Sequence, residues 1–251
     1  QRLKPARRHH RIGRFRVRSF ELGMRPVEPG TSLSTQNPKP ETRNPYGWGL
    51  YVVTDRSMTK GRPLEAVVEA ALAGGAKAIQ LREKDLSTRD LYELVERLLP
   101  LVHGRGACLL INDRVDVTLA LPIDGVHLSR TSLPSAETRA LLGPARLIGV
   151  SCHSLEEAIE AERGGADFIM LGPLFPTPSK AAYGPPIGLA RLHEVRRRVR
   201  LPILGIGGIT ASNAASVMAA GADGAAVISA IMTADDPADA VASLLHVIRS
   251  A

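Results

Sequence analysis

The chain has 251 residues and a formal net charge of +7, a size that suits one large domain or two small ones. Eleven of the 32 basic residues, but only 3 of the 25 acidic residues, lie in the first 50 positions, so residues 51–251 are nearly balanced in charge. That balance gives no sign of the basic face expected on a folded nucleic-acid-binding domain. No apolar run approaches the ~20 residues of a membrane span.

The two cysteines argue against a disulfide-based or zinc-based structure. Cys108 and Cys152 are far apart and form no CxxC pair. This usage is typical of a reduced protein without a disulfide framework or a cysteine zinc site, and it predicts a cytoplasmic location.

Residues 1–48 differ in composition from the rest of the chain. A basic arm rich in arginine is followed by prolines spaced among Ser, Thr and Asn, a composition that cannot bury a core. We therefore expect a disordered or non-native extension at 1–48 and a folded domain at 49–251. A transit peptide, a nucleic-acid-binding tail, or upstream sequence with translation starting at Met24 or later are the alternatives.

From Gly49 onward, short apolar segments alternate with amphipathic ones. The segments predicted as strands are 50–54, 78–82, 108–111, 125–128, 147–151, 168–171, 202–206 and 225–228. The predicted helices cover 63–72, 88–102, 115–121, a segment after Pro134, a segment beginning at Ser154, 188–199, 211–220 and 237–248. Eight such units in about 200 residues predict an α/β fold of the TIM (β/α)₈ barrel type.

In a TIM barrel the chemistry lies at the C-terminal ends of the strands, so the polar residues there are candidate site residues. They are Thr54, Asp55, Arg56, Gln80, Arg82, Lys84, Asn112, Asp113, His127, Ser129, Arg130, Ser151, His153, Thr177, Ser179, Lys180 and Ser229, together with the backbone of Gly207, Gly208 and Ile228.

Two anion sites follow from these residues. The glycines of segment 205–210, with Ile228 and Ser229 after the next strand, match the usual phosphate pocket of such barrels. Arg82, Lys84 and Lys180, with a nearby carboxylate, suit a larger anion that carries Mg²⁺. Asp113 is the best candidate for the metal ligand.

The two histidines have different expected roles. His153 follows the fifth strand, where it is either an acid or base or a structural residue at a helix start. His127 lies within the fourth strand and is predicted to be structural.

Several motifs in chain order resemble the thiamine phosphate synthase / thiazole tautomerase family. They are residues 50–56, 80–84, 111–116, 124–128, 149–154, 172–180, 205–210 and 221–224. The resemblance covers residues 49–249 and excludes the N-terminal 48.

The resemblance implies a TIM barrel that joins hydroxymethylpyrimidine pyrophosphate to thiazole phosphate, both of them small phosphorylated molecules. The residues implied to hold the pyrimidine pyrophosphate are Gln80, Arg82, Lys84, Asn112, Thr177, Ser179 and Lys180, and Asp113 is implied to bind Mg²⁺. Gly208, Ile228 and Ser229 are implied to bind the thiazole phosphate. Ser151 is a further candidate for substrate binding, and His153 for catalysis.

One segment departs from the family pattern after the fourth strand. The synthases usually have Gly-Gln-x-Asp there, whereas this chain has Ser129, Arg130, Thr131 and Ser132. Ser132 therefore stands where a second metal-binding aspartate is expected. Thiazole tautomerase activity and a non-catalytic barrel that binds thiamine intermediates remain alternatives to the synthase, and a homo-oligomer remains open.

Overall fold

Each predicted strand from Leu50 onward forms a short parallel strand whose apolar side chains pack on both faces of the sheet. The computed structural model describes residues 44–177 and 184–251, and within these ranges eight strands close into a barrel in sequence order. The predicted TIM barrel is confirmed. Residues 1–43 of the expected extension lie outside the described residues.

The bounds of the elements are close to those expected from the sequence. The strands are β1 (Leu50–Val53), β2 (Ala78–Leu81), β3 (Cys108–Asn112), β4 (Gly125–Leu128), β5 (Leu147–Cys152), β6 (Phe168–Leu171), β7 (Ile203–Ile206) and β8 (Gly224–Val227). The helices are α1 (Leu64–Ala73), α2 (Thr88–His103), α3 (Val115–Ala120), α4 (Ser135–Leu142), α5 (Leu155–Arg163), α6 (Gly188–Arg196), α7 (Ala214–Ala219), α8 (Ser229–Met232) and α9 (Pro237–Ser250).

The alternation of side chains along each strand separates two apolar layers. On β1, Val52 packs outward against the helices, whereas Tyr51 and Val53 pack inside the barrel with Phe168 and Met170. The ring closes where Leu50 of β1 pairs with Ala225 of β8. The outer layer is the larger of the two cores. Its packing fixes the strands in place and so determines where the residues at their C-terminal ends lie.

Three helices differ from the sequence prediction, and one of them, α6, ends at Arg196 rather than at residue 199. Helix α7 begins at Ala214 rather than Ala211, because the side chain of Asn213 accepts the N–H of Thr210 and holds residues 210–213 in a turn. Helix α8 was not predicted, since four residues carry no periodic signal.

Packing begins before the predicted domain boundary at residue 49. Trp48 is 3% exposed, stacks on Tyr46 and contacts the edge of Phe168 at a centroid distance of 5.4 Å. Asn44 donates to the carbonyl of Trp48 at 2.9 Å. Within the described ranges, no helix combines the length and apolar character needed to cross a bilayer.

Candidate active site

Polar side chains from four neighbouring strands line the lumen near the C-terminal end of the barrel. They are Gln80, Asn112, His127 and Ser151. Gln80 donates Nε2–H to Asn112 Oδ1 at 3.1 Å, and His127 Nε2 lies 2.9 Å from Ser151 Oγ. Gln80 Oε1 and His127 Nδ1 are buried and have no hydrogen-bond partner among the described residues. His127 Nδ1 packs against Gly149, where an added Cβ would lie 2.5 Å from it.

His127 is neutral in this environment. Burial lowers its pKa to about 3, and the opposing effect of the Asp113 carboxylate is smaller. Its expected structural role is consistent with its position between the aromatic rings of Tyr51 and Phe168, at centroid distances of 6.2 and 5.8 Å.

Asp113 connects the end of β3 with the loop between β4 and α4. Its backbone φ is 61°, in the left-handed region that aspartate tolerates better than most residues. The carboxylate accepts hydrogen bonds from Asn112 Nδ2 at 2.8 Å and from the Ser129 N–H at 3.0 Å. It also accepts a close hydrogen bond from the Ser132 hydroxyl. The candidate metal ligand and the serine at the expected second-ligand position are therefore in direct contact.

Asp116, three residues after Asp113, is bound elsewhere. It binds the guanidinium of Arg114, and this hydrogen bond is the main reason that the pKa of Asp116 is lowered. Across 44–177 and 184–251 no group of three or more His, Cys, Asp or Glu side chains could hold a metal ion. Any metal site built from these residues therefore depends on further oxygen ligands.

The predicted cations Arg82 and Lys84, which follow β2, line cavities beside the β1–α1 and β2–α2 loops. Arg82 and Lys84 both line a cavity of about 700 Å³ next to the β1–α1 loop. Lys84 also lines a second cavity of about 240 Å³, together with Asn112 and Asp113. The structure thus brings three of the predicted residues to one cavity. Thr177 ends the described part of the β6–α6 loop, and Ser179 and Lys180 lie outside the described residues.

The glycines after β7 allow a close approach between two loops. Gly208 has a φ of +65°, and a Cβ there would lie 2.7 Å from the Pro176 carbonyl oxygen. The Phe175 N–H donates to the Gly207 carbonyl at 3.1 Å, and Asn213 Nδ2 donates to the Gly208 carbonyl at 2.9 Å. Glycine is required at 208 both by the backbone conformation and by the neighbouring loop.

Ile228 and Ser229 lie on the same side of the barrel, after β8. Ile228 precedes helix α8, and Ser229 is its first residue. The C-terminal end of this short helix is held by Arg62, whose Nη2 donates to the Met232 carbonyl at 2.9 Å. The predicted phosphate-binding residues are thus joined to the first βα loop of the barrel.

His153 lies after β5 and is partly exposed. Its Nδ1 lies 3.1 Å from Glu157 Oε2, and its backbone N–H donates to the same oxygen at 2.6 Å. Ser154 caps helix α5 by accepting the N–H of Glu157. His153 is therefore bonded to the first turn of its own helix, the arrangement expected from its structural interpretation.

The sequence indicated Thr54 and Arg56 only as polar residues at a strand end and did not single out Glu83. In the structure these three residues form a hydrogen-bonded group beside Arg82 and Lys84. One signal was present. In the sequence, Glu83 stands between Arg82 and Lys84. It lies two residues after the outward-facing Leu81, so its side chain is expected on the same face.

Comparison with known proteins identifies the family. The model of the thiamine monophosphate synthase family matches residues 50–231. A thiamine-phosphate synthase from Roseiflexus castenholzii is 51% identical over 222 residues, which cover 88% of this chain and 96% of that protein. One from Moorella thermoacetica is 48% identical over 81% of this chain and 97% of its own length. The structure of a thiamine phosphate pyrophosphorylase from Pyrococcus furiosus is 40% identical, with a TM-score of 0.75 over 84% of this chain and 98% of that one. This chain belongs to the thiamine monophosphate synthase family.

Proposed function

We propose that the chain is a thiamine-phosphate synthase, a transferase that joins hydroxymethylpyrimidine pyrophosphate to thiazole phosphate. The observation that carries the proposal is the 51% identity to a relative of that name over 96% of the relative's length. The polar lumen and the cations Arg82 and Lys84 beyond the C-terminal end of β2 support the same function.

The reaction exchanges one bond for another. The C–O bond between the pyrimidine methylene and pyrophosphate breaks, and its electron pair leaves with the pyrophosphate. The thiazole nitrogen then donates its lone pair to the methylene carbon, which forms the C–N bond of thiamine phosphate. This chemistry requires no protein nucleophile. The main task of the protein is to stabilise the negative charge that grows on the leaving group.

The cations perform that task in the proposed mechanism. Arg82, Lys84 and Lys180 bind the pyrophosphate oxygens, with Thr177 and Ser179 as hydroxyl donors. Charge-assisted hydrogen bonds of this kind are roughly twice as strong as neutral ones. In the lumen, Gln80, Asn112 and Ser151 orient the pyrimidine. Gly208, Ile228 and Ser229 hold the thiazole phosphate.

Mg²⁺ is the proposed cofactor, and the local side chains fit it. Asp113, Ser129 and Ser132 offer only oxygen atoms, the ligand type that Mg²⁺ prefers, and one carboxylate is sufficient when substrate phosphates supply the rest. Asp113 would hold the ion. When bound, Mg²⁺ neutralises charge on the departing pyrophosphate.

The direct test is to incubate the purified chain with both phosphorylated precursors and Mg²⁺ and to measure thiamine phosphate by chromatography. We expect turnover in the wild type and a large loss in Lys180→Ala. Lys77→Ala is the matched control, because Lys77 lies at the opposite end of β2 and donates to the Arg105 carbonyl.

Two other outcomes would replace the proposal. Binding of both precursors without any product would indicate a non-catalytic barrel. Isomerisation of the thiazole carboxylate phosphate, lost in His153→Ala and without thiamine phosphate formation, would indicate a tautomerase.

A further inference from the structure

A buried carboxylate lies between the two site cations that follow β2. Glu83 is 6% exposed. Its Oε1 accepts the Thr54 hydroxyl at 2.6 Å, and its Oε2 accepts the Arg56 N–H at 3.1 Å and Arg56 Nη1 at 3.2 Å. The carboxylate thus joins the residues that follow β2 to those that follow β1.

Thr54 links this carboxylate to the backbone of a site residue. Its side chain is fully buried. While its hydroxyl donates to Glu83, the same oxygen accepts the backbone N–H of Arg82 at 3.0 Å. The N–H of Thr54 donates to the Gln80 carbonyl at 2.9 Å. The backbone on either side of Leu81 is therefore held at two points by one threonine.

Arg56 completes the group on its exposed side. Its guanidinium binds Asp85 through two hydrogen bonds of 2.6 Å as well as Glu83. As a result, the three residues from Glu83 to Asp85 are held at both ends, and Lys84 lies between the two carboxylates. The carboxylate oxygens of Glu83 and Asp85 are bound to Thr54 and Arg56 rather than to Lys84.

Stability alone gives a poor reason for this arrangement. A buried ion pair often contributes no more to folding than apolar side chains of the same volume. Thr54 and Glu83 occupy the helix-facing side of their strands, where the neighbouring Val52 and Leu81 are apolar. The hydrogen bonds that anchor Glu83 to Thr54 and Arg56 therefore fix the backbone from which the neighbouring Arg82 and Lys84 side chains project.

We infer that Thr54 and Glu83 are positioning residues for the pyrophosphate-binding cations Arg82 and Lys84. The inference rests on the proposed function for the identity of the anion. Neither residue contacts the substrate. Their hydrogen bonds set the path of the β2–α2 connection, and so the direction from which the two cations reach the leaving group.

The test compares four variants in two measurements, steady-state kinetics with each substrate varied and calorimetric binding of inorganic pyrophosphate with Mg²⁺. Thr54→Val removes the hydroxyl without changing the side-chain shape, and Thr54→Ser retains it. Glu83→Gln removes the buried charge. Glu65→Gln is its matched control, because Glu65 pairs with Arg97 at the border of the same cavity.

We expect Thr54→Val and Glu83→Gln to weaken pyrophosphate binding about tenfold, the factor that corresponds to the loss of one hydrogen bond. The KM for the pyrimidine pyrophosphate should rise by a similar factor, while the KM for thiazole phosphate stays within about twofold. Thr54→Ser and Glu65→Gln should resemble the wild type.

The sign of the Glu83→Gln effect separates positioning from simple electrostatics. Removing a negative charge beside two cations would by itself tighten the binding of an anion. Tighter pyrophosphate binding, or an equal rise of both KM values, would overturn the inference.

The binding measurement also separates this inference from the proposed function. If the wild type binds pyrophosphate but makes no thiamine phosphate, the proposed function fails while the effect of Thr54→Val on binding still decides the positioning role. If the wild type does not bind pyrophosphate, the inference fails whatever reaction the chain catalyses.

Discussion

Asp223 binds Arg196 at the N-terminal end of the barrel through a hydrogen bond of 2.7 Å, and the same carboxylate oxygen accepts the N–H of Ile203 at 2.8 Å. The arrangement recurs before β4 and β6. Each of these aspartates accepts the N–H of the preceding strand and lies within hydrogen-bonding distance of a side-chain nitrogen from a helix. The other two sets are Asp124 with Leu109 and His103, and Asp167 with Ile148 and Arg139. The strand pairs β3–β4, β5–β6 and β7–β8 are thus each joined at the N-terminal end of the barrel, on the side away from the candidate site.

This arrangement predicts a loss of stability without a loss of activity. Asp223→Asn removes a mostly buried ion pair, with side-chain exposures of 13% for Arg196 and 17% for Asp223, and should lower the free energy of unfolding by about 1–3 kcal/mol. Asp235→Asn is the control, because the Lys60–Asp235 pair is exposed and such pairs contribute little. Urea denaturation measures both variants, and an equal effect in the two would contradict the prediction.

His127 predicts a specific dependence of stability on pH. In the unfolded chain a histidine binds a proton below about pH 6.5, whereas burial keeps His127 neutral in the folded chain until about pH 3. The unfolded state therefore binds more protons in this window, so stability falls as the pH falls, by up to about 1.4 kcal/mol per pH unit between pH 6 and 4.

The variant His127→Asn removes that contribution. Its free energy of unfolding, measured in urea from pH 7 to 4, should decrease less steeply with acid than that of the wild type. The carboxylates titrate in both proteins, so the difference between the two curves isolates His127. Parallel curves would show that His127 is accessible to protons in the folded state.

Gly208→Ala should damage both folding and the proposed phosphate site. A Cβ at this position meets the loop before α6, and φ is +65°. Gly106 is a matched control, because its φ is +60° but no atom lies within 4 Å of a Cβ. The left-handed conformation costs each alanine about 1–2 kcal/mol. Only Gly208→Ala should show a further loss of stability and a raised KM for thiazole phosphate.

Ser132→Asp should tighten the binding of Mg²⁺ and make the melting temperature more sensitive to Mg²⁺. The new carboxylate would lie against Asp113, which Ser132 contacts, and two adjacent carboxylates repel each other unless a cation lies between them. We expect Mg²⁺ to raise the melting temperature of Ser132→Asp more than that of the wild type, and to half-saturate its synthase activity at a lower concentration.

Arg130 is the other departure in that segment, and its cation would compete with the metal for the new carboxylate. The double variant Arg130→Gln/Ser132→Asp should therefore bind Mg²⁺ more tightly than Ser132→Asp alone. If Mg²⁺ shifts the melting temperature equally in the wild type and in both variants, Asp113 is not at the metal site.

Trp48 predicts where the chain can be shortened. A chain that begins at Asn44 retains the contacts of Tyr46 and Trp48 with the barrel, and it should fold and turn over substrate as the full chain does. A chain that begins at Gly49 loses a buried tryptophan and should be less stable by about 3–5 kcal/mol. Thermal unfolding of the two chains decides this, and equal melting temperatures would show that Trp48 contributes nothing.

The sequence alone was sufficient for the barrel and for the set of strands that compose it. Short apolar runs such as Phe168–Leu171 are buried on both faces of a parallel sheet, so their continuous hydrophobicity marks them directly. The order of strands in a closed barrel follows the order in the chain, and residues at strand ends such as Asn112 and Asp113 could therefore be assigned to one mouth. The family resemblance added the reaction, which composition and spacing do not contain.

The tertiary structure decided the contacts between loops that are distant in the sequence. The hydrogen bond from Ser132 to Asp113 and the link from Thr54 through Glu83 to Arg56 depend on side-chain directions in separate βα units. Trp48 is buried because the end of the barrel offers an aromatic surface to it, although the composition of the residues before it placed it in the expected extension at 1–48. Local periodicity determines which face of an element is buried, whereas the partner of a buried polar group is determined only when the strands close into a ring.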